Sequence, residues 1–315
     1  MTGNSSDIEL RSKVPSAARG TRLLDFLVQR FPYHDEPTWR GQLQAGRLEL
    51  DGSPASGSEV LRPGMQLLYR KSHREPEVAR DFKVMHEDAQ LLVVDKPAHL
   101  PMHADGPFIR NTLIHMLRAR FGGDLQLCHR LDRETSGVVV LARDKIVQAH
   151  VQAQFGAGIE KEYLAVVHGL LAAPTTCAAP IGHHPDSQVR LRRSACANAL
   201  RSQPAETAFE PVEHGQHHTL VRCRPSTGRT HQLRVHLEHL GHPVLGDKLY
   251  GCPDETYLEF VRQMKAGASV FATDGNRPNR QLLHAHAITL DHPGGEGRVR
   301  YEAAAPAEFE RWLLC

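Results

Sequence analysis

The residues of this sequence that could carry out chemistry are concentrated in one short segment, 128–137. It contains an aspartate, Asp132, between two arginines, Arg130 and Arg133. Because a nearby guanidinium favours the charged form of a carboxylate, we expect Asp132 to be ionised. An ionised aspartate without a metal-ligand pattern around it can act as a base or a nucleophile. A solvated Arg–Asp turn at the start of a strand is an equally open interpretation of this segment.

The elements around this segment must position its side chains. The apolar, β-branched run 138–141 that follows it is typical of a buried strand, and such a strand is a rigid support for polar residues at its mouth. Another strand is predicted over 90–94, ended by Pro97, and the alternating segment 162–168 predicts a third. Segment 230–240 predicts a helix with Arg234 at the border of its apolar face.

Several segments together resemble the RluA-type RNA pseudouridine synthases. In chain order they are VDKP at 94–97, HRLDRETSG at 129–137, EKEYLAVV at 160–167, and TGRTHQLRVHL at 227–237, which continues as GHPVLGD at 241–247. The resemblance extends from about residue 82 to the C-terminus. It implies an isomerase that converts specific uridines to pseudouridine in ribosomal or transfer RNA. No redox change occurs in that reaction, so no cofactor is expected.

The resemblance also implies roles for individual residues. Asp132 would be the nucleophile that attacks either the base or the ribose. Arg234 would be its cationic partner, and a bidentate guanidinium fork would fix the carboxylate. Tyr163 would stack on the base and could accept a proton during the rearrangement. An ordinary helix-surface arginine and an ordinary strand tyrosine are the structural alternatives for these two residues.

A uridine in structured RNA must be flipped out to reach such a cleft, at a cost of a few kcal/mol. Arg130 resembles the family residue that fills the place of the flipped base, although it could instead form a second salt bridge to Asp132. Further cleft residues implied by motif position are Lys96, Arg229 and His231. Lys96 could equally pair with Asp95 at the end of a strand.

One local patch could bind RNA phosphates. Segment 187–203 contains four arginines and no acidic residue, and its central members are Arg190, Arg192 and Arg193. Lys and Arg contacts to phosphates dominate nucleic-acid affinity, so we expect this patch to bind RNA. A solvated charged hairpin is the alternative. The net charge of the chain is only +2, so the RNA partner must be argued from such local features.

The expected fold class is α+β, with two structured domains. Residues 1–19 are polar and predict a flexible tail, 20–72 a small domain, 73–81 a charged linker, and 82–315 the catalytic domain. The catalytic domain should be a mixed, mostly antiparallel sheet with a central cleft. Residues 20–72 predict two helices and a small sheet, which resembles an α/β S4-type RNA-binding domain. Seven basic and six acidic residues nearly balance there, so a spacer or packing domain remains an alternative.

Composition excludes other classes of protein. There is no apolar run long enough to span a membrane, no signal-peptide core and no phosphate-binding Gly-rich loop. The six cysteines are scattered, which predicts reduced thiols in a cytoplasmic protein. We also expect the protein to be a monomer. Histidine is abundant, at 21 residues, but no cysteine or carboxylate joins the histidine clusters at a metal-site spacing. We therefore expect no metal site.

Two rival functions use the same residues. An RNA-binding protein with an inactive synthase-like domain is possible, but the presence of Asp132, Tyr163 and Arg234 favours an active enzyme. A glycosidase-like hydrolase would need a second catalytic carboxylate facing Asp132 across the substrate. Glu134 is too close to Asp132 in sequence to take that place easily.

Overall fold

The structure is a computed structural model that describes residues 6–73, 75–156, 158–269, 271, 275 and 277–315. The chain divides into two units, Met1–Glu75 and Pro76–Cys315. The boundary falls inside the segment for which charge and Pro76 predict a linker. None of the helices in the described ranges is long and apolar enough to cross a membrane.

The first unit combines two helices with a four-stranded sheet. Its strand order is β1-β4-β2-β3. Its elements are β1 Ser6–Lys13, a 3-10 turn Ser16–Ala18, α1 Leu23–Arg30, α2 Glu36–Gln44, β2 Leu48–Leu50, β3 Ser53–Pro54 and β4 Gln66–His73. Trp39, Leu23, Leu27 and Leu48 are fully buried in its core. Asp35 caps α2 by accepting a hydrogen bond from the backbone N–H of Thr38 at 3.0 Å.

Strand β1 corrects the expectation of a flexible tail over 1–19. It pairs antiparallel with β4 in continuous register, from Ser6 opposite His73 to Lys13 opposite Gln66. Leu10 is 42% exposed, so backbone hydrogen bonds rather than side-chain burial hold this strand. Composition therefore gives little signal for it. Residues 1–5 of the predicted tail lie outside the described residues.

The second unit is built on a ten-stranded sheet. The main strand order is β10-β14-β15-β9-β16-β8-β6-β5, with β17 paired to β16 and β7 paired to β8, and a separate three-stranded sheet has the order β12-β11-β13. The strands are β5 Lys83–Glu87, β6 Leu91–Lys96, β7 Gln126–Leu127, β8 Ser136–Ala142, β9 Glu160–His168, β10 Thr175–Cys177, β11 Ile181–His183, β12 Arg193–Ser194, β13 Leu200–Gln203, β14 Thr207–His214, β15 His218–Pro225, β16 Leu283–Asp291 and β17 Arg298–Glu302. The helices are α3 Leu113–Phe121, α4 Lys145–Gln154, α5 Gln232–His239, α6 Asp254–Lys265 and α7 Glu308–Leu313.

Strand β8 lies in the middle of this sheet, and all of its residues are buried. It pairs antiparallel with β6 and, at Ser136 and Gly137, parallel with β16. Its alternate residues enter two core clusters: Val139 and Leu141 join one, and Val138 and Val140 join the other. Because both faces of β8 are covered, its sequence is continuously apolar.

The mixed, mostly antiparallel sheet expected for the second unit is confirmed. The parallel contact between β8 and β16 joins strands that are separated by the whole segment 143–282. Helices α3 and α4 begin with side-chain caps. Thr112 accepts from the N–H of His115 at 3.4 Å, and Asp144 accepts from the N–H of Ile146 at 2.8 Å.

Gly137 allows β8 to approach β16, and its replacement should be costly. Its φ is +111°, and an added Cβ would lie 2.1 Å from the carbonyl oxygen of Ala285. Gly122 has a similar φ of +108°, but a Cβ added there would have no atom within 4 Å. Both substitutions by alanine introduce backbone strain, of roughly 1–3 kcal/mol.

We therefore expect Gly137→Ala to lower the free energy of unfolding by at least about 2 kcal/mol more than Gly122→Ala, because only the former also overpacks the sheet. Urea denaturation of the two variants and the wild type measures this difference. Equal losses of stability in the two variants would contradict the close approach of β8 and β16.

Candidate active site

A cavity of about 310 Å³ opens in the second unit beside the entrance to β8. Its walls come from the segment that leads into β8, from β9, and from the loop and helix α5 that follow β15. The lining residues are His129, Arg130, Leu131, Asp132, Thr135, Phe155, Lys161, Tyr163, Pro225, Thr227, Gly228, Arg229, Thr230, His231, Gln232, Leu233, Arg234 and Leu283. This cavity, called the cleft below, brings together most of the predicted site residues.

Asp132 and Arg234 meet in the cleft although they are 102 positions apart in sequence. Nη1 of Arg234 donates to Oδ2 of Asp132 at 2.7 Å. The predicted carboxylate–guanidinium contact is therefore confirmed. The Arg234 side chain is only 8% exposed, because residues 232–237 of α5 are all buried. Arg234 is thus an interior residue and not an ordinary helix-surface arginine.

The bidentate fork predicted for Asp132 is instead formed with Asp247, a residue that sequence reasoning missed. Nε of Arg234 donates to Oδ2 of Asp247 at 2.6 Å, and Nη2 donates to Oδ1 at 2.8 Å. The Asp247 side chain is fully buried, and its Oδ1 also accepts the N–H of Leu249 at 2.8 Å. Asp247 therefore fixes the orientation of Arg234, and one N–H-bearing nitrogen remains for Asp132.

The electrostatic surroundings keep Asp132 ionised. Burial alone would raise the pKa of Asp132, but the charges of His231 and Arg234 and the Arg234 hydrogen bond hold that pKa well below its usual range. Burial lowers the pKa of His231 to about 4, so His231 carries its positive charge only below about pH 4 and is neutral at neutral pH. Arg234 is then the cation that matters for Asp132 under these conditions.

His231 connects Asp132 to a buried tyrosine. Its Nε2 lies 3.8 Å from Oδ1 of Asp132, and its Nδ1 lies 2.8 Å from the hydroxyl of Tyr250. That hydroxyl also accepts the N–H of Arg193 at 3.1 Å. The Tyr250 ring also lies 4.8 Å from the Arg234 guanidinium carbon.

Tyr163 and two arginines complete the cleft. Tyr163, on β9, is partly buried, and burial followed by the charge of Asp132 raises its pKa above the usual range, so it is a neutral phenol. Arg130 is exposed and forms no ion pair with Asp132 or with another residue of the described ranges. Arg229 is also exposed, and its Nε donates to the carbonyl oxygen of Pro204 at 2.9 Å.

Comparisons with known proteins identify the family of this chain. Residues 90–239 match the family model described as RNA pseudouridylate synthase. The chain is 32% identical to ribosomal large subunit pseudouridine synthase D of Pseudomonas aeruginosa, over 98% of this chain and 95% of that protein. It is 35% identical to human pseudouridylate synthase RPUSD2, over 72% of this chain and 41% of that protein. The chain belongs to the RluA-type RNA pseudouridine synthases.

Solved structures extend the likeness to the fold of this family. The structure of human RNA pseudouridylate synthase domain containing 1 is 27% identical, with a TM-score of 0.58 over 76% of this chain and 89% of that one. Human RNA pseudouridylate synthase domain containing 4 is 26% identical, with a TM-score of 0.53 over 73% of this chain and 91% of that one. The predicted family and the predicted enzyme class, an RNA pseudouridine synthase, are thus confirmed.

The expectation that Lys96 contacts the substrate of this synthase is corrected by its position. Lys96 is fully buried and does not line the cleft. Its Nζ donates to the carbonyl oxygens of Pro97 and Leu100 at 2.9 Å, and to that of Arg133 at 3.2 Å. Lys96 therefore ties the end of β6 to the segment that carries Asp132, and it forms no strand-end ion pair with Asp95.

The predicted phosphate patch is divided. Arg192 is engaged with two carboxylates, at 2.8 Å from Asp254 and 3.0 Å from Glu238, and its side chain is only 14% exposed. It is therefore a structural residue and not a free phosphate ligand. Arg190 and Arg193 line a second cavity of about 600 Å³, together with His183, His184, Ser187, Val189 and Leu191. Nη1 of Arg193 lies 2.6 Å from Nδ1 of His183.

Glu134, the carboxylate nearest to Asp132 in sequence, is held in a separate ion cluster. It lies 2.8 Å from Nη2 of Arg133 and 2.8 Å from Nζ of Lys248. Burial raises its pKa, but the charges of Lys248 and Arg133 outweigh that effect and lower the pKa to about 2. Glu134 is therefore an ionised structural group and is not available as the protonated second carboxylate of a glycosidase.

One group of possible metal ligands occurs in the described ranges, outside the cleft: His86, Asp88 and His292. Oδ2 of Asp88 lies 2.6 Å from Nε2 of His86 and 2.9 Å from Nε2 of His292. The N–H of Gly294 donates to Nδ1 of His292 at 3.1 Å, so Nδ1 is a hydrogen-bond acceptor and Nε2 is the nitrogen that faces Asp88. This arrangement favours hydrogen bonding between the three residues, and the expected absence of a metal site stays a prediction.

Asp247 can be tested by a substitution that preserves its shape. Asp247→Asn removes the negative charge and turns an amide N–H₂ toward the guanidinium of buried Arg234. Since breaking a buried ion pair typically costs about 3–5 kcal/mol, we expect a loss of about 3 kcal/mol in the free energy of unfolding. Urea denaturation measures it, with exposed Asp124→Asn as the matched control that stays within about 0.5 kcal/mol of wild type. An Asp247→Asn variant as stable as that control would contradict the structural role of the fork.

Proposed function

We propose that this chain isomerises uridines of large-subunit ribosomal RNA to pseudouridine, with Asp132 as the nucleophile. The single observation that carries the proposal is the 2.7 Å contact between Arg234 and Asp132, which favours an ionised carboxylate in a cleft. The choice of RNA rests on relatives named ribosomal large subunit pseudouridine synthases. Transfer RNA is the alternative substrate class. Attack at the base and attack at the ribose both remain compatible with this role.

Tyr163 is proposed to stack on the target base and to accept a proton during the rearrangement; because it is a neutral phenol, it can do so only by passing its own hydroxyl proton to another group. Its side chain lines the cleft together with Asp132. Arg130 is proposed to fill the place of the flipped base, since it is exposed at the cleft and has no ion-pair partner in the described part of the chain. Arg229 and His231 are proposed to contact the bound nucleotide.

Arg190 and Arg193 are proposed to contact RNA phosphates beside the cleft. The support is their shared cavity and the link from Arg193 through the Tyr250 hydroxyl to His231. Counterion release on binding such cations would make RNA affinity salt-dependent. Arg192 is not included, because Asp254 and Glu238 already neutralise it.

The first unit is proposed to be an S4-like RNA-binding domain. Its two helices and small sheet support this proposal, and so does exposed Tyr33, whose ring lies 5.0 Å from Nζ of Lys71. An exposed aromatic ring beside a cation is suited to stacking on a base and holding its backbone. A spacer domain remains the alternative, given the nearly balanced charge of 20–72. The cytoplasmic location and the monomeric state expected from the sequence stay predictions.

An active enzyme is favoured over an RNA-binding protein with an inactive domain. The carboxylate, its guanidinium partner and the cleft tyrosine are all in one cavity, and a buried ion pair of this kind is costly to keep without a use. The two functions differ in what happens when the charge of Asp132 is removed. Only the active enzyme loses a measurable reaction.

We expect Asp132→Asn to abolish pseudouridine formation, with a fall of at least about 10⁴-fold, because the amide is not a nucleophile. Its oxygen can still accept from Nη1 of Arg234, so the fold and the RNA affinity should be retained. The measurement is pseudouridine mapping in unmodified transcripts of large-subunit ribosomal RNA and of transfer RNAs, with filter binding in parallel.

Asp124→Asn, at an exposed position away from the cleft, is the matched control and should keep wild-type activity. Turnover by Asp132→Asn within about tenfold of wild type would refute the nucleophile assignment. Wild-type protein that binds these RNAs but modifies none of them would favour the inactive-domain alternative.

A further inference from the structure

Lys161 is a cation of the cleft that neither the predicted site nor the Asp132 network includes. It lies on β9 two residues before Tyr163, so both side chains are on the same face of the strand. Both line the cleft. Nζ of Lys161 donates to the carbonyl oxygen of Thr227 at 2.9 Å, which holds the side chain against the loop that leads to α5.

Lys161 has no carboxylate within ion-pair distance in the described part of the chain. Its two acidic neighbours point elsewhere: Glu160 pairs with Arg298 at 2.7 Å, and Glu162 pairs with Arg224 at 3.2 Å. The single hydrogen bond to Thr227 leaves two ammonium N–H groups without a partner among the described residues. Burial lowers the pKa of Lys161.

This isolation distinguishes half-buried Lys161 from two other lysines of the second unit. Lys248 lies 2.8 Å from the carboxylate of Glu134, and Lys96 donates to three carbonyl oxygens. Burying a cation with unused donors is unfavourable unless a ligand supplies acceptors. Because Lys161 lines the cleft, a molecule bound there is the available source of such acceptors.

We propose that Lys161 is a catalytic residue that donates a hydrogen bond to a uracil oxygen and stabilises the negative charge that develops on the base. This proposal rests on the proposed function. When the Asp132 carboxylate attacks C1′ of the ribose, a bond from its oxygen to C1′ forms as the bond between C1′ and N1 breaks. The electron pair of the broken bond stays with the uracil, and O2 and O4 share the charge. Bond formation between C1′ and C5 consumes that pair and breaks the bond from C1′ to Asp132, which leaves as a carboxylate. C5 then loses its proton to a base in the cleft, and N1 gains a proton.

The same residue serves the other route of attack. If Asp132 adds to C6 of the uracil, the electron pair of the C5–C6 double bond moves toward O4, which again becomes negative. Both routes therefore place charge on a uracil oxygen, and Lys161 keeps its own proton in both. A positioned donor in a cleft that excludes water is most effective where charge develops, and removal of one such donor costs about 10²–10³ in rate.

A backbone phosphate is the rival ligand for Lys161. The position inside the cleft, beside Tyr163 and in the same cavity as Asp132, favours the base. The exposed Arg190 and the Arg193 cavity are better placed for phosphates. The two ligands predict different measurements, because a phosphate contact contributes to affinity and salt dependence, whereas charge stabilisation contributes to the rate of the bound RNA.

The experiment compares Lys161→Met and Lys161→Arg with the wild type on an unmodified transcript of large-subunit ribosomal RNA. Single-turnover rates are measured with saturating enzyme, together with RNA affinity over a salt series and thermal stability. We expect Lys161→Met to lower the saturated rate by about 100-fold, with the affinity, the salt slope and the melting temperature near wild type. Lys161→Arg should recover part of the rate, because it keeps the cation. The matched control Lys145→Met, at an exposed position on α4, should match wild type throughout.

Three outcomes would overturn the assignment. A wild-type saturated rate in Lys161→Met, with weaker binding and a flatter salt dependence, would assign Lys161 to a phosphate. Parallel losses of melting temperature, affinity and rate, unrelieved in Lys161→Arg, would assign it to structure alone. Wild-type protein without turnover on any ribosomal or transfer RNA transcript would overturn the proposed function and this inference with it, whereas the first two outcomes leave the proposed function intact.

Discussion

The buried guanidinium of Arg234 is shared by two carboxylates, and the cleft is arranged around that shared cation. Two nitrogens of Arg234 donate to the carboxylate of Asp247. The third, Nη1, donates to Oδ2 of Asp132. Oδ1 of Asp132 lies at the longer distance of 3.8 Å from Nε2 of His231. Removing three charged groups from water is expensive, and the close geometry offsets that cost. The result is a carboxylate that is ionised and oriented but still has one oxygen available for reaction.

This arrangement depends on segments that are far apart in the chain. Asp132 precedes β8, Arg234 lies on α5, and Asp247 follows the bridge between Val167 and Val244. Lys96 fixes the backbone beside Asp132 by donating to the carbonyl oxygen of Arg133. The buried β-sheet and the buried α5 are therefore the supports that hold the proposed nucleophile and its partner at hydrogen-bonding distance.

The sequence predicts the strongest local patterns well. The continuously apolar 138–141 run is a strand buried on both faces. Motif positions also place Asp132, Tyr163 and Arg234 in one cavity. These successes share a cause, since each rests on a local apolar run or on a motif that spans few residues.

The failures involve partners that only tertiary structure supplies. Arg192 and Arg193 look alike in a basic segment, but Asp254 and Glu238 neutralise only Arg192. The motif position of Lys96 predicts a cation in the cleft, but Lys96 is buried outside the cleft and donates to three carbonyl oxygens. Arg234 forms its bidentate contact with Asp247. Asp247 belongs to the GHPVLGD segment at 241–247, but the sequence does not show that its partner is Arg234. Strand β1 is held by backbone hydrogen bonds to β4, and amino-acid composition does not predict such pairing.

The ionisation of Asp132 is the central claim, and carbon-13 NMR of labelled aspartate carboxyl groups tests it most directly. The Asp132 resonance is identified by its absence from the spectrum of Asp132→Asn. If Arg234 holds the pKa of Asp132 well below its usual value of about 3.9, this resonance shows no titration midpoint between pH 8 and about pH 4, while exposed aspartates begin to titrate near the lower limit. A midpoint for Asp132 above about pH 4 would show that burial outweighs the guanidinium, and would contradict the account.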